Sequence, residues 1–196
     1  MATMQRALTR VNVELKYSEG FNPHPYLSAA LPLSVGQGSL CELLDIETVS
    51  TPSLTRLPEI INAALPEGLE VLEAYTPERK FILITWLEIH GMLYYDKGLP
   101  GDAVKRLTER FQTESIVITK KTKRGTSDVD IAPFIRDIQF YDMDGVNIKA
   151  KVSAQNPAVS AQNLMSALEG EYSDLAPDFT MFTRIEVFDN EMRRFR

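Results

Sequence analysis

The second half of the sequence contains an order of secondary-structure elements that few folds share. Alternating or continuous apolar residues predict its strands, and apolar residues at helical spacing, such as Val104, Leu107 and Phe111, predict its helices. The predicted elements are a strand at 81–95, a helix through 104–111, strands at 136–142 and 146–153, a helix at 160–168 and a strand at 179–188. Asp142 to Gly145 separates the two middle strands as a hairpin turn. Apart from a further strand predicted at 115–121, the order is β-α-β-β-α-β, which is that of the split βαβ or ferredoxin-like fold.

The first half has the order α-β-β-α-β, which is the same order without its opening strand. Its predicted elements are a helix at 3–11, strands at 13–17 and about 40–48, a helix from Ser53 to Leu65 and a strand that begins at 69–72. We therefore predict an α+β protein of two ferredoxin-like subdomains in tandem, covering residues 1–77 and 78–196. No sequence repeat links the two halves, so the repetition lies only in the order of elements. The absent strand indicates a cropped start and an open edge near Leu15 and Leu43, where another chain could pair.

Composition excludes several classes of protein. The chain has 27 acidic and 21 basic residues and a net charge of −6, which argues against a globally basic nucleic-acid binder. No apolar run reaches the ~20 residues of a membrane span, and the N-terminus lacks the apolar core of a signal peptide, so we expect a cytoplasmic protein without membrane contact. With one cysteine and two histidines, no intramolecular disulfide, Cys/His zinc site or iron–sulfur cluster held by this chain's own thiolates can form. We predict no metal site and no cofactor bound by this chain alone.

A loop near the N-terminus is the densest cluster of unusual residues. Its candidate binding residues are Tyr17, Ser18, Gly20, Phe21, Asn22, Pro23, His24 and Pro25. Two prolines restrict the backbone around His24, and a fixed imidazole beside an amide and hydroxyls suits proton transfer or recognition of a base or phosphate. The structural alternative is a corner in which Asn22 caps a turn and Phe21 fills the core. The residues leave both interpretations open.

Basic residues concentrate in two places of the second half. A predicted strand at 115–121 leads into a charged loop at 120–127, whose candidate phosphate contacts are Lys120, Lys121, Lys123 and Arg124. No aromatic residue interleaves them, so a solvated hairpin tip explains them equally well. The arginines at 193, 194 and 196 are interpreted as a solvated chain end.

The remaining chemically active residues give no catalytic constellation. Asp128 and Asp130 could bind Mg²⁺ as a pair, but balancing the charge of the basic loop is the favoured interpretation. His90 lies in an apolar strand and is interpreted as a core histidine with satisfied hydrogen bonds. Glu42 and Asp45 fall on opposite faces of a predicted strand, which argues against a carboxylate pair. We assign no catalytic residue.

Two motifs resemble those of a known bacterial family. The first is Tyr17-Ser18-Glu19-Gly20-Phe21-Asn22-Pro23-His24-Pro25, followed by Leu27-Ser28, Leu31-Pro32-Leu33, Val35-Gly36 and Leu44-Asp45-Ile46. The second is Val129-Asp130-Ile131-Ala132-Pro133-Phe134-Ile135, with Ala132 where the family usually has arginine. Together they resemble the bacterial radical-SAM-linked protein family, a domain of uncharacterised function. The resemblance adds Asp130 and Pro133 to the candidate site residues.

The resemblance implies a binding partner rather than a particular reaction. Members of that family are fused to, or encoded beside, a B12-binding-type radical-SAM protein, so the implied partner is a radical-SAM protein. Relatives begin with a strand and a Ser-His-Leu-Asp segment, and Met1 to Met4 stand in its place here. This chain lacks the Cys-x-x-x-Cys-x-x-Cys motif and therefore cannot itself hold the radical-SAM cluster.

Three functions remain open at this point. The first is a non-catalytic accessory or substrate-presenting protein for a radical-SAM enzyme, in RNA or ribosome modification. The second is a stand-alone RNA-binding module acting through the basic loop. The third is an RNA-modifying enzyme of pseudouridine-synthase-like fold, a fold analogy in which Asp45 or Asp130 would be the first catalytic candidates.

Overall fold

The structure is a computed structural model that describes residues 1–99, 101–122 and 125–196, without the side chains of residues 121 and 122. Its helices are α1 (Ala2–Arg10), α2 (Leu57–Asn62), α3 (Ala103–Phe111) and α4 (Ala161–Ser166). Its strands are β1 (Leu27–Ala29), β2 (Gly38–Ser39), β3 (Leu44–Ile46), β4 (Trp86–Tyr94), β5 (Val117–Thr122), β6 (Gly125–Asp130), β7 (Ile135–Asp142), β8 (Val146–Ser153) and β9 (Phe179–Phe188). The predicted α+β class is confirmed.

The chain forms two compact units that are discontinuous in sequence. The first unit comprises residues 1–32, 42–81 and Arg196. The second comprises residues 33–41 and 82–195, so a short segment from the first half of the chain belongs to it. We describe each unit by itself.

The first unit contains little regular sheet. Strands β1 and β3 pair antiparallel, and single bridges join Leu15 to Thr48 and Tyr17 to Pro25. Its core is small because α1 and α2 are short and contribute few apolar side chains. The fully buried members are Ala7, Leu8, Leu15, Leu57 and Ile61. This unit does not confirm the predicted tandem ferredoxin-like arrangement, because its segments at 13–17 and 69–72 form bridges or coil where strands were predicted.

The second unit is built on a five-stranded sheet in the order β2-β9-β4-β8-β7. Strand β2 runs parallel to β9, and the other neighbours are antiparallel. Val146, Ile148, Ala150 and Val152 alternate along β8 and are all buried, as period-2 geometry requires of one sheet face. Helices α3 and α4 cover that face, with Leu107 and Leu164 fully buried in the same core. Among the described residues of this unit, no helix packs on the opposite face of the sheet.

A hairpin made of β5 and β6 interrupts the order predicted for this unit. The two strands pair antiparallel from Val117–Asp130 to Thr122–Gly125 as a separate two-stranded sheet. The sequence predicts the first of these strands but assigns the second to a charged loop. Residues 125–130 are mostly polar and exposed, so no apolar alternation indicates that strand.

Candidate functional site

The loop at 17–25 is closed at its base by backbone hydrogen bonds. Ser18 N–H donates to the carbonyl oxygen of His24 at 2.8 Å, and His24 N–H donates to Ser18 Oγ at 3.0 Å. Tyr17 and Pro25 form the bridge just outside this pair. Below it, Lys16 N–H donates to the Glu47 carbonyl oxygen at 2.8 Å. We call residues 17–25 the clasped loop, because both of its ends are held together.

The tip of the clasped loop extends into solvent. Residues 19–24 are all exposed, and the relative accessibility of Phe21 is 109%, that of a side chain without burial. Gly20 has φ +122°, a conformation that glycine adopts without the strain of a Cβ. The interpretation in which Phe21 fills the core is therefore wrong. The structure shows no hydrogen bond from the Asn22 side chain to another described residue.

The hydrogen bonds between Ser18 and His24 also limit the proton-transfer partners of the His24 imidazole. Ser18 Oγ is already the acceptor for the His24 backbone, so the hydroxyl is held at the main chain rather than at the imidazole. The imidazole is exposed, and no described carboxylate pairs with it. A proton-transfer pair between histidine and hydroxyl is therefore not formed within this loop.

The predicted phosphate contacts are described only in part. Lys120 Nζ donates to the Ala158 carbonyl oxygen at 2.7 Å, and partial burial lowers the pKa of Lys120. Lys123 and Arg124 lie outside the described residues, as does the side chain of Lys121. The lysine that is described holds the hairpin to the segment before α4.

The carboxylate of Asp130, in the second motif, has a structural role. Its Oδ1 accepts hydrogen bonds from the backbone N–H of Ile116 at 2.8 Å and of Ala132 at 3.0 Å. These two bonds hold the pKa of Asp130 below its ordinary value. Pro133 lies exposed in the 3₁₀ turn Ala132–Phe134 directly after it. The motif therefore joins the start of β5 to the turn that leads into β7.

The lowered pKa of Asp130 gives a pH-dependent contribution to stability. Because the folded-state pKa lies below the unfolded one, the contribution is present above the unfolded value of about 4 and disappears as the pH falls through the folded value. We expect the free energy of unfolding of the wild type to fall more between pH 5 and pH 3 than that of Asp130→Asn. Urea unfolding at both pH values measures this, and Asp128→Asn serves as the control. Equal falls in the wild type and Asp130→Asn would contradict the assignment.

The arginines at the end of the chain are paired with carboxylates. Arg193 Nε lies 2.9 Å from Asp189 Oδ2, and Arg194 Nε lies 3.3 Å from Glu186 Oε2. Phe195 is buried, and its N–H donates to the Val187 carbonyl oxygen at 2.9 Å. Both arginines are exposed, as expected of a solvated end, but the buried Phe195 folds this segment back onto β9.

The helix-free sheet face of the second unit carries a charged cluster that sequence reasoning missed. Glu88 Oε1 lies 2.9 Å from His90 Nε2 and 3.2 Å from Lys149 Nζ. Burial would raise the pKa of Glu88, but the hydrogen bonds from His90 and Lys149 outweigh it and leave that pKa below its ordinary value. His90 is therefore half-buried in an ion-pair cluster rather than in the apolar core. Alternation of Trp86, Glu88, His90 and Met92 along the strand is the signal that could have indicated this face.

The described residues contain neither a grouped set of metal ligands nor a membrane-spanning helix. No group of three or more His, Cys, Asp or Glu residues in the described ranges is placed to hold a metal ion. In the same part of the chain, no helix has the length and apolar character needed to cross a membrane.

Comparison with known proteins identifies the family. Residues 1–165 match the profile of a family described as "Uncharacterized protein conserved in bacteria (DUF2344)", and the chain belongs to this family. The matched range includes both the clasped loop and the second motif. No curated protein matches the chain at a significant level.

Proposed function

We propose that this protein is a non-catalytic accessory protein that presents a substrate to a radical-SAM enzyme, in RNA or ribosome modification. The observation that carries the proposal is the complete exposure of Phe21 at the tip of the clasped loop. A phenylalanine in water forgoes the stabilisation that burial of its ring would give, and buried aromatic anchors dominate the energetics of many protein interfaces. The resemblance of this same loop to radical-SAM-linked proteins supplies the partner.

The loop is suited to binding because its conformation is already restricted. Pro23 and Pro25 fix two backbone dihedrals, and the two hydrogen bonds between Ser18 and His24 hold the ends together. Ordering of flexible loops is one of the costs of association, so a loop ordered in advance binds with a smaller entropic loss. This supports a docking role over a catalytic one.

The finer fold assignment is also part of the proposal. In the second unit, four strands have the antiparallel order β9-β4-β8-β7, and α3 and α4 pack on one face. The split βαβ order of the sequence favours a ferredoxin-like core here, with the β5–β6 hairpin inserted before β7.

The two other functions stay predictions. Lys120 is engaged with Ala158, so the described part of the basic loop adds no support for an RNA-binding module. The carboxylate of Asp130 accepts two backbone hydrogen bonds, which argues against that residue as the catalytic aspartate of an RNA-modifying enzyme. Asp45 is partly buried, and this burial raises its pKa, while the charge of Asp45 acts on the nearby Tyr75. Asp45 therefore stays a candidate for that function.

The test is co-elution with a radical-SAM protein from the same genome, of the kind that the resemblance implies as partner. We expect a joint peak in size-exclusion chromatography with light scattering. It should be lost when Phe21, Asn22 and His24 are changed together to alanine. Phe21→Ala alone should weaken the complex at least about tenfold, since truncating a buried aromatic anchor commonly costs ≥ 2 kcal/mol of binding free energy.

Two controls separate docking from folding. Leu72 is 69% exposed in the same unit, and Leu72→Ala should leave the complex unchanged. Because Phe21 is unburied, Phe21→Ala should keep the wild-type melting temperature within about 2 °C. Absence of any complex, with or without S-adenosylmethionine and RNA, would reject the accessory role. A complex that survives the triple change would reject the loop as its docking site.

A further inference from the structure

One end of the helix-free sheet face in the second unit carries exposed aromatic and thioether side chains. Tyr94, Tyr141, Phe179 and Met181 have relative accessibilities of 37%, 38%, 61% and 54%. The rings of Tyr94 and Phe179 are 5.8 Å apart between centroids, and the Tyr94 hydroxyl donates to Met181 Sδ at 3.5 Å. We call these four residues the apolar platform.

The strand register places the apolar platform on one face. Tyr94 is directly opposite Phe179, and Met92 is opposite Met181 on β9 and Asn147 on β8. Asn147 in turn is opposite Tyr141 on β7. Directly opposed residues of antiparallel strands point to the same side of a sheet, so the platform crosses four adjacent strands, a width of about 15 Å. That is wide enough to support an extended or helical segment of another molecule.

Carboxylates border the platform. The described segments at this end of the sheet are 94–99, 141–145 and 178–181, and they contain four aspartates and one lysine, Lys97. All four aspartates are exposed, and Asp96 and Asp144 lie in the turns that follow Tyr94 and Tyr141. Asp142 is opposite the core residue Val146, so its side chain leaves the other face of the sheet and is not part of the border. Asp178 Oδ2 also accepts the backbone N–H of Asp96 at 2.8 Å, which holds two of these segments together. The border is therefore negative and fixed to the sheet.

We propose that the apolar platform is a docking site for a protein segment whose apolar side chains are flanked by lysine or arginine. An apolar centre with a polar border is the ordinary anatomy of a protein interface, in which Tyr, Phe and Met are enriched at the centre. Cationic side chains complement the aspartates and can also lie over the faces of Tyr94, Tyr141 and Phe179. Nucleic acid fits this end poorly, because its phosphates need cations where the structure places carboxylates.

This inference does not rest on the proposed function. The clasped loop belongs to the first unit and the apolar platform to the second. A protein that presents a substrate needs one surface for the enzyme and another for the substrate, so the two proposals are compatible but are tested separately.

The first experiment uses fluorescence anisotropy with a labelled amphipathic peptide of leucine and lysine, about 14 residues long, and its leucine–glutamate counterpart. We expect the lysine peptide to bind the full-length protein and the glutamate peptide not to bind. Tyr94→Ser with Phe179→Ser should weaken binding at least about tenfold. The control pair, Leu72→Ser with Val117→Ser, removes exposed apolar side chains elsewhere and should change binding less than about twofold.

The second experiment tests whether the aspartates of the border act through their position beside the platform or only through the net charge of the protein. Asp96→Lys with Asp144→Lys should weaken binding of the lysine peptide several-fold more than Glu67→Lys with Glu70→Lys. The two pairs change the net charge equally and replace residues that are all exposed. Equal losses from the two pairs, or equal binding of both peptides, would overturn the proposal. Tighter binding of single-stranded RNA that depends on Tyr94 and Phe179 would overturn it in favour of a nucleic-acid site.

Discussion

The Gly91→Ala variant is expected to lose about 3 kcal/mol of unfolding free energy. Gly91 lies in β4 with its backbone against the core, and an added Cβ would be 2.5 Å from Cε1 of Phe182 and 2.9 Å from Cγ2 of Ile148. Both neighbours are buried, so neither side chain can move away into solvent. The backbone must shift instead. Urea denaturation measures the loss, which corresponds to a melting temperature about 6–12 °C lower.

Gly101→Ala is the matched control for this prediction. A Cβ at Gly101 meets no described atom within 4 Å outside its chain neighbours, and the residue is exposed. This variant should therefore keep the wild-type stability within about 0.5 kcal/mol. If Gly91→Ala were as stable as Gly101→Ala, the close packing of Phe182 on β4 would be wrong.

The Leu8→Ala variant is expected to open the first unit at a cost of about 2–5 kcal/mol. Leu8 is completely buried, and only a small set of fully buried side chains shares its core. The loss of unfolding free energy is therefore large compared with the stabilisation that this small core can contribute. Hydrogen exchange should rise at amides of residues 2–10 and 57–62 and remain low in β4, β8 and β9. Binding through the clasped loop should be lost, whereas the apolar platform should keep its peptide affinity.

Leu8→Met tests whether the loss comes from the cavity. Methionine keeps nearly the same volume, so this variant should lose less than about 1.5 kcal/mol. A uniform rise of exchange in both units after Leu8→Ala would contradict the division into two units, because it would mean that they unfold together.

Much of the second unit follows from the sequence because its strands are long and rich in apolar residues, with strict alternation in β8. The predicted ranges 146–153 and 179–188 are those of β8 and β9, and the turn at Asp142–Gly145 joins β7 to β8. In β8 one face is buried against the helices, so apolar side chains recur at every second position. The apolar pattern predicts the strand because both follow from the burial of one sheet face.

Other features depend on contacts that no local pattern reveals. Strand β6 forms through backbone pairing with β5 although its own residues are mostly polar. The end of the chain folds back because Phe195 is buried, and three arginines near it suggest solvent instead. The exposure of Phe21 likewise cannot be predicted from the sequence, since a phenylalanine at this position could fill a core or extend from a loop into solvent. Its context of glycine and prolines predicts the loop but not the direction of the ring.

The pairing of β2 with β9 sets an order of events during synthesis. Gly38 pairs with Thr183, about 145 residues later in the chain. At about 5–20 residues per second, the ribosome needs roughly 7–30 s to make this partner after β2 has been made. The first unit, in contrast, has nearly all its residues once Phe81 is complete. A fragment that starts at Ile82 would lack β2 and leave an edge of β9 uncovered, so cutting the chain between its halves would not separate the two units cleanly.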